Sequence, residues 1–477
     1  HSSFFILHFS FFILHSSFSI HHSSFISFHR RTYNRSSVLL NSMRILSLGV
    51  GISLLLGIAG GANFAYVNGF QSDKPLVTTM ECYQVAGKSL QEKDYRTGQK
   101  ALERALQLGS SHPRFIYRLA VAQTQVGDTA GALARLKQLA GMQVEYPLET
   151  DADLATLKPN PDFQTVVAAF EKNRKPVSQA SVAFTIGEKD LIPEGITWDP
   201  VDRVYFVGSI YKRKILKIDQ AGKATEFVPS GQDGLGPVIG LKVDPKRRWL
   251  WACSAYEKRG DAPLREDGGI FKYDLRTGKL LQKYLLKNQP VAHFLNDLAL
   301  DAQGGAFVTD SETGSVYVIR PGKSELELFV QSPELIYPNG LALTPDGNQL
   351  FVAQYDGIIL VDVVTKKLSR LAHPETVTVA GIDGLSLNHR SLIAVQNSFE
   401  PHRVIRFDLN SKLNRVERAE VLEARNPHFV IPTTGTMAGN EYVVLANSQL
   451  DRLGPDGNLT EPEKLKAVVG LRIRLKK

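Results

Sequence analysis

Cysteine is scarce: Cys82 and Cys253 are the only two in 477 residues, too few for a disulfide framework. In an oxidising compartment they can pair across domains, and two buried, unpaired thiols are the alternative. Long basic runs are also missing. Lysine and arginine number 56 against 48 aspartate and glutamate, but no run exceeds Lys246-Arg247-Arg248, so the charge points to no nucleic-acid partner. The chain has no Gly-x-Ser-x-Gly, so a nucleophilic-serine elbow does not compete for the chemistry. The first 42 residues contain no acid and no lysine and repeat themselves, Ser3 to His8 against Phe11 to Phe18. They read as low-complexity sequence outside the native protein and are left out of the fold reading.

A stable membrane span is not expected either. From Met43, Arg44 gives a positive start, Ile45 to Ala59 is apolar or small throughout, and Gly60-Gly61-Ala62 offers small residues for cleavage. That apolar run falls short of the roughly 20 residues a spanning helix needs. A signal peptide over 43–62 is expected, and with it a secreted or periplasmic protein. Arg30, Arg31, Arg35 and Arg44 lie in these two segments, so the formal net charge of the remainder falls from +8 to +4.

What is present, above all, is repetition. Tyr337-Pro338-Asn339-Gly340-Leu341-Ala342-Leu343 runs into Thr344-Pro345-Asp346-Gly347 and a second apolar strand, which is a hairpin signal. Looser copies begin at Glu194, Ile239, Asn296, Asp383 and Thr434. Periods of this size, each with room for about four strands, predict a β-propeller, and six copies predict six blades over 181–477. Ser181 to Ile186 is expected beside Gly470 to Leu475, closing the ring. One polar interruption, Tyr256 to Gly269, lengthens blade two and can overhang a site.

Ahead of the strands, residues 75–174 carry apolar residues at helical spacing with little β-branching. A period of 34 relates Ala86 to Ala120, Asp94 to Asp128 and Pro113 to Pro147. With Tyr95 and Ala105 in place, the segment resembles two tetratricopeptide repeats closed by a helix from Pro161 to Lys172. Two such repeats bury little by themselves, so they are expected to dock on something or to dimerise, as a module for a protein partner or as a cap on the propeller. Polar Lys172 to Gln179 separates the two regions, with the linker placed at 175–180. The fold class expected is mainly β, a six-bladed propeller preceded by a small helical domain.

The chemistry lies at the head of each copy. Aligned on the first apolar residue of the inner strand, Glu194, Ile239, Asn296, Asn339, Asp383 and Thr434 share one register, and inner strands surround the propeller axis. Four of the six are carboxylates or carboxamides, which chance would give about one time in a hundred, so the register is not ordinary turn chemistry. Glycine follows in five copies, a position that permits close backbone approach. Oxygen donors without cysteine or histidine suit a hard cation, calcium before another divalent ion, and disfavour zinc.

These motifs resemble the gluconolactonase and regucalcin (senescence marker protein) family, to which paraoxonase and diisopropyl fluorophosphatase are related. The residues that carry the likeness are Pro193-Glu194-Gly195, Asn296-Asp297, Pro338-Asn339-Gly340-Leu341-Ala342, Asp383-Gly384 and Pro432-Thr433-Thr434. The resemblance implies that Glu194, Asn339 and Asp383 hold calcium. Asn296 then completes the metal shell or contacts substrate, with Phe294 and Thr434 as further substrate-contacting positions. The sugar-lactonase branch has an arginine where Phe294 stands, which leaves room for a more apolar lactone or ester. The implied reaction is metal-assisted hydrolysis of a small-molecule lactone or ester, with Asp383 as base or nucleophile. His428 is a lesser candidate for a second base. The alternative is a secreted, non-catalytic calcium-binding propeller that docks a partner through its helices.

Overall fold

Each copy of the repeat folds for a local reason that is visible at its turn. After the inner strand of the fourth copy, Asp346 accepts the Asn348 amide at 3.1 Å and Gly347 takes φ +75°, so the chain reverses and the next strand returns. In the computed structural model, which describes residues 75–255, 268–286, 292–454 and 456–475, such turns build six four-stranded sheets among the described residues. The low-complexity segment 1–42, the signal peptide 43–62 and most of the polar stretch Tyr256 to Gly269 lie outside the described residues.

The inner strands are Pro193–Asp199, Val238–Asp244, Leu295–Leu300, Leu341–Leu343, Ile382–Asn388 and Gly435–Ala438. Each packs against the inner strands on either side, and that of blade six meets that of blade one. An apolar cluster fills every gap between neighbouring blades, so middle strands such as Val204–Ser209 are buried on both faces. The ring closes as expected: Ser181–Ile186 is the outermost strand of blade six, with Ser181 opposite Arg472 and Ile186 opposite Val468.

Upstream, α1 (Thr79–Gln91), α2 (Tyr95–Gln107), α3 (Pro113–Gln125) and α4 (Thr129–Gly141) form two helical hairpins, followed by a short 3-10 turn and α5 (Pro161–Asn173). The 34-residue period has a physical cause. Asp94 and Asp128 are the N-caps of α2 and α4, accepting the Thr97 and Gly131 amides, while Ala86 and Ala120 are buried where paired helices approach. No helix among the described residues is long and apolar enough to cross a membrane.

The helices dock on the propeller itself. Tyr355 of blade four packs into the core of α1 to α3, and Phe399 of blade five enters the core of α3 to α5. Arg403, 1% exposed, donates to the carbonyls of Met142 and Gln143 at 2.9 and 3.1 Å. Tyr355 and Phe399 belong to loops that follow second strands, and these return to the face where inner strands begin. The helical layer therefore sits over the mouth side of blades four and five. Segment 175–180, read from sequence as a linker, is itself strapped to blade five: Val177 bridges to Ala424, and Glu423 accepts the amides of Gln179 and Ala180.

Candidate active site and metal centre

The register residues come together at the start of the inner strands because the strands are irregular there. In blades one, two, three and five, pairing with the second strand slips across Pro193/Ile196, Val238/Leu241, Leu295/Leu298 and Ile382/Leu385. Each slip contains the register residue and the one after it, and a bulge of this kind re-aims a side chain. The glycines that follow let adjacent blades touch. A Cβ at Gly195 would lie 2.0 Å from the Ile239 carbonyl oxygen, and one at Gly340 would lie 2.3 Å from that of Asp383.

Glu194, Asn296 and Asp383 are buried and Asn339 is half-buried. Each leaves one buried side-chain oxygen without a hydrogen-bond partner: Glu194 Oε2, Asn296 Oδ1, Asn339 Oδ1 and Asp383 Oδ1. The opposite ends of three of these groups are fixed. Asn397 donates to Asp383 Oδ2 at 2.7 Å and to the Pro432 carbonyl at 2.9 Å. The Asn296 amide donates to Ser311 Oγ at 3.0 Å, and Ser311 donates to the Pro338 carbonyl at 2.6 Å. The Asn339 side chain hydrogen-bonds to Asp383. Three of the four unanswered oxygens thus sit on side chains held in place from their other end.

Charge is equally uncompensated. Burial, then the carboxylates of Asp383 and Asp297, hold the Glu194 carboxyl well above its ordinary range. Burial pushes Asp383 up to about 6 against the hydrogen bonds from Asn397 and Asn339. The one cation close by, Lys242, pairs with Asp297 at 3.2 Å. Without a cation, burial thus favours the protonated forms of Glu194 and Asp383, and both would be ionised together only when paired or bound to metal. Among the described residues no three His, Cys, Asp or Glu side chains form a metal-binding group, and two of the four donors here are amides.

Residues 192–416 match the family model described as the SMP-30/Gluconolactonase/LRE-like region. The propeller carries an SMP-30/gluconolactonase-like region. Among solved structures, the chain is similar to a gluconolactonase from Xanthomonas campestris, with 17% identity over 63% of this chain and 91% of that one and a TM-score of 0.42. It is also similar to regucalcin from Agrobacterium tumefaciens, described as a calcium-binding protein, with 16% identity over 62% and 96% and a TM-score of 0.43. A third is virginiamycin B lyase from Staphylococcus aureus, with 14% identity over 61% and 98% and a TM-score of 0.42. No curated protein sequence matches the chain.

Within the SMP-30/gluconolactonase-like region, Phe294 is half-buried and packs with Ile239, Leu295 and Ile210 in the cluster between blades two and three. The Thr434 hydroxyl donates to the Glu194 carbonyl at 2.5 Å, joining blade six to blade one. His428 is exposed on the loop leading into blade six, with its amide bonded to Asn426. Cys82 lies in the helical core and Cys253 in blade two; both are buried and unpaired, so cross-domain pairing is ruled out. Sequence reasoning gave no role to Lys242, Asp297, Ser311 or Asn397. Ser311 and Asn397 stand 15 and 14 residues after the register residues they hold, and a second register at the end of the second strands would have found them.

Proposed function

We propose that this propeller hydrolyses a lactone or related ester with calcium, or another divalent cation, held by Glu194, Asn296, Asn339 and Asp383. The observation that carries the reading is the set of four buried, unpartnered oxygens on those four side chains. The donor chemistry fits: all are oxygen, two are neutral amides, and a divalent cation would offset the two carboxylates, Glu194 and Asp383, once ionised. When bound, the cation supplies Lewis acidity toward a substrate carbonyl oxygen. Asp383 serves as base toward water or as the attacking nucleophile. Asn397 fixes its Oδ2, so Oδ1 is the atom presented. Burial raises the Asp383 carboxyl and a bound cation would favour its ionised form, the form that base or nucleophile chemistry needs. Phe294 and Ile239 line the site with apolar surface, which favours a lactone or ester less polar than a sugar acid derivative.

The test is turnover by the full-length chain on a panel of lactones and aryl esters, with calcium and with a chelator. Calcium-dependent hydrolysis of at least one member is expected. No turnover on any member would transfer the site to the non-catalytic, calcium-binding reading. The signal peptide expected at 43–62 assigns the activity to a secreted or periplasmic protein, which fractionation of expressing cells checks.

A further inference from the structure

We propose that Arg114 and Arg118 of α3, with Tyr355 of blade four and Tyr146, form an anion subsite at the helical rim of the propeller mouth, which receives a carboxylate or phosphate group carried by the substrate. The proposal rests on the hydrolase reading for its substrate, though not for the existence of the subsite.

Position comes first. Tyr355 donates its amide to the Ile336 carbonyl at 2.8 Å and accepts the Gly381 amide at 3.1 Å. It is therefore stitched between the segment entering Asn339 and the segment entering Asp383. Its ring is fixed by the helical layer, 4.5 Å from the His112 ring and 6.0 Å edge-on from Phe115. Arg114 hydrogen-bonds to the Tyr355 side chain, and the charges of both arginines act on Tyr355 and on Tyr146. Tyr146 is held in turn by stacking on Tyr117 at 4.1 Å. The site is thus built from two separate parts of the chain that meet only when the helices dock.

Charge is the second observation. Arg114 and Arg118 are one helical turn apart, both half-buried, and like charges at this spacing repel. Neither makes an ion pair among the described residues. The other arginines along this seam are answered: Arg370 by Asp356, Arg174 and Arg425 by Glu145, and Arg403 by carbonyls. Burial and the neighbouring Arg114 both work against the Arg118 charge, while only tyrosines support it. The nearest carboxylate acting on Tyr355, Asp356, is already taken by Arg370, so two partly desolvated guanidiniums with tyrosine hydroxyls form a fork-shaped receptor for an oxyanion. The substrate so described presents its carbonyl at the register residues, an apolar portion toward Phe294 and Ile239, and its anionic end toward α3.

The experiment uses the full-length chain and two probes, inorganic phosphate and succinate, titrated at constant ionic strength against chloride, with affinity read by calorimetry and by the rise in melting temperature. The wild type should bind at least one probe. Arg114→Gln and Arg118→Gln should weaken that binding by at least about tenfold, while melting no lower than wild type in probe-free buffer because a repulsion has been relieved. Arg118→Lys, which keeps the charge without the planar fork, should fold normally and show an intermediate loss, so a folding defect in a glutamine variant does not end the test. Which probe binds separates a carboxylate from a phosphate. No response in the wild type, or an undiminished response in the variants, overturns the subsite. With any lactone that is turned over, an anionic derivative should lose its kcat/KM advantage over the neutral one in Arg118→Gln. Anion binding without turnover on any substrate would remove the hydrolase reading and leave the subsite standing, whereas turnover with no anion effect would do the reverse.

Discussion

Two regions of the molecule treat buried polar groups in opposite ways. Along the seam between helices and propeller, apart from Arg114 and Arg118, the charged groups mostly answer one another. Arg403 is met by Gln396 and two carbonyls, and Asp356 by Arg370, Tyr83 and Gln354. At the head of the inner strands, four oxygens have no partner and three carboxylates face one ammonium. A buried polar group left unmade costs about 1–3 kcal/mol, more when charged, so the first arrangement stabilises the fold while the second weakens it until something binds.

The sharpest way to break that contrast is to change the ring's two carboxylates separately. Asp383→Asn keeps an oxygen for the cation but removes the base, so turnover should fall by about 100- to 10,000-fold and stay low at saturating calcium. Glu194→Gln should act through metal affinity and recover at least partly at high calcium. The measurement is kcat across a calcium series in both variants. Equal recovery would remove Asp383 from the chemistry.

The seam makes the converse prediction. Arg403→Met strips donors from Gln396, Met142 and Gln143 and should cost about 3 kcal/mol in denaturant unfolding, with calcium affinity unchanged because Arg403 touches none of the register residues. An equal loss of calcium affinity would mean that seam and ring are one unit. The same contacts bear on truncation. Strand closure by Ser181–Ile186 needs nothing upstream, but removing the helices would uncover Phe399, Tyr355 and Arg403.

The two regions also differ in how far the sequence discloses them. The six inner strands and both helical hairpins could be read because each is a local pattern repeated at a fixed interval, and the register residues because they occupy one slot in it. The docking could not. Arg403 meets Met142 across 261 residues, and neither residue's neighbourhood marks the pairing. Within the ring, sequence placed Thr434 correctly in register yet could not show that its hydroxyl turns to the backbone of blade one, since register fixes where a strand begins and not where a rotatable hydroxyl points. Asp297 was visible beside Asn296, but its charge acquires meaning only once Lys242 of blade two lies across from it.

Calcium itself should reverse the ring's effect on stability. At 100 times its dissociation constant it should add about 2.7 kcal/mol, seen as a rise in melting temperature that a chelator abolishes. The pH dependence should change sign with it. Folding raises the carboxyl pKa of Asp383 from 3.8 to about 6 and that of Glu194 in the same direction, so without calcium the folded chain holds more protons than the unfolded one. Their contribution to stability is then fully present below the unfolded value and lost as pH rises through about 6. Calcium favours the ionised pair, so its affinity should increase over that same window, and the gap in melting temperature between calcium-loaded and chelated protein should widen with pH. A gap that stays constant from about pH 5 to about pH 7.5 would place the cation elsewhere.

The smallest expected effect tests whether the unanswered oxygens are aimed or merely left over. Ser311 accepts the Asn296 amide and donates to the Pro338 carbonyl, so one hydroxyl both orients the ligand amide and ties it to the segment entering Asn339. Ser311→Ala deletes only that hydroxyl from a half-buried position, and the fold should hardly notice. Without it the Asn296 amide can rotate and present its NH2 toward the cation, and groups that orient a ligand in this way are typically worth about 10- to 100-fold in metal affinity. One hydroxyl at a partly wet site belongs at the lower end, so a loss of about tenfold is expected in a calcium titration, with melting temperature in chelator unchanged. A fall in melting temperature with calcium affinity intact would make Ser311 a structural tie between blades three and four, and Asn296 would then contact substrate instead of completing the metal shell.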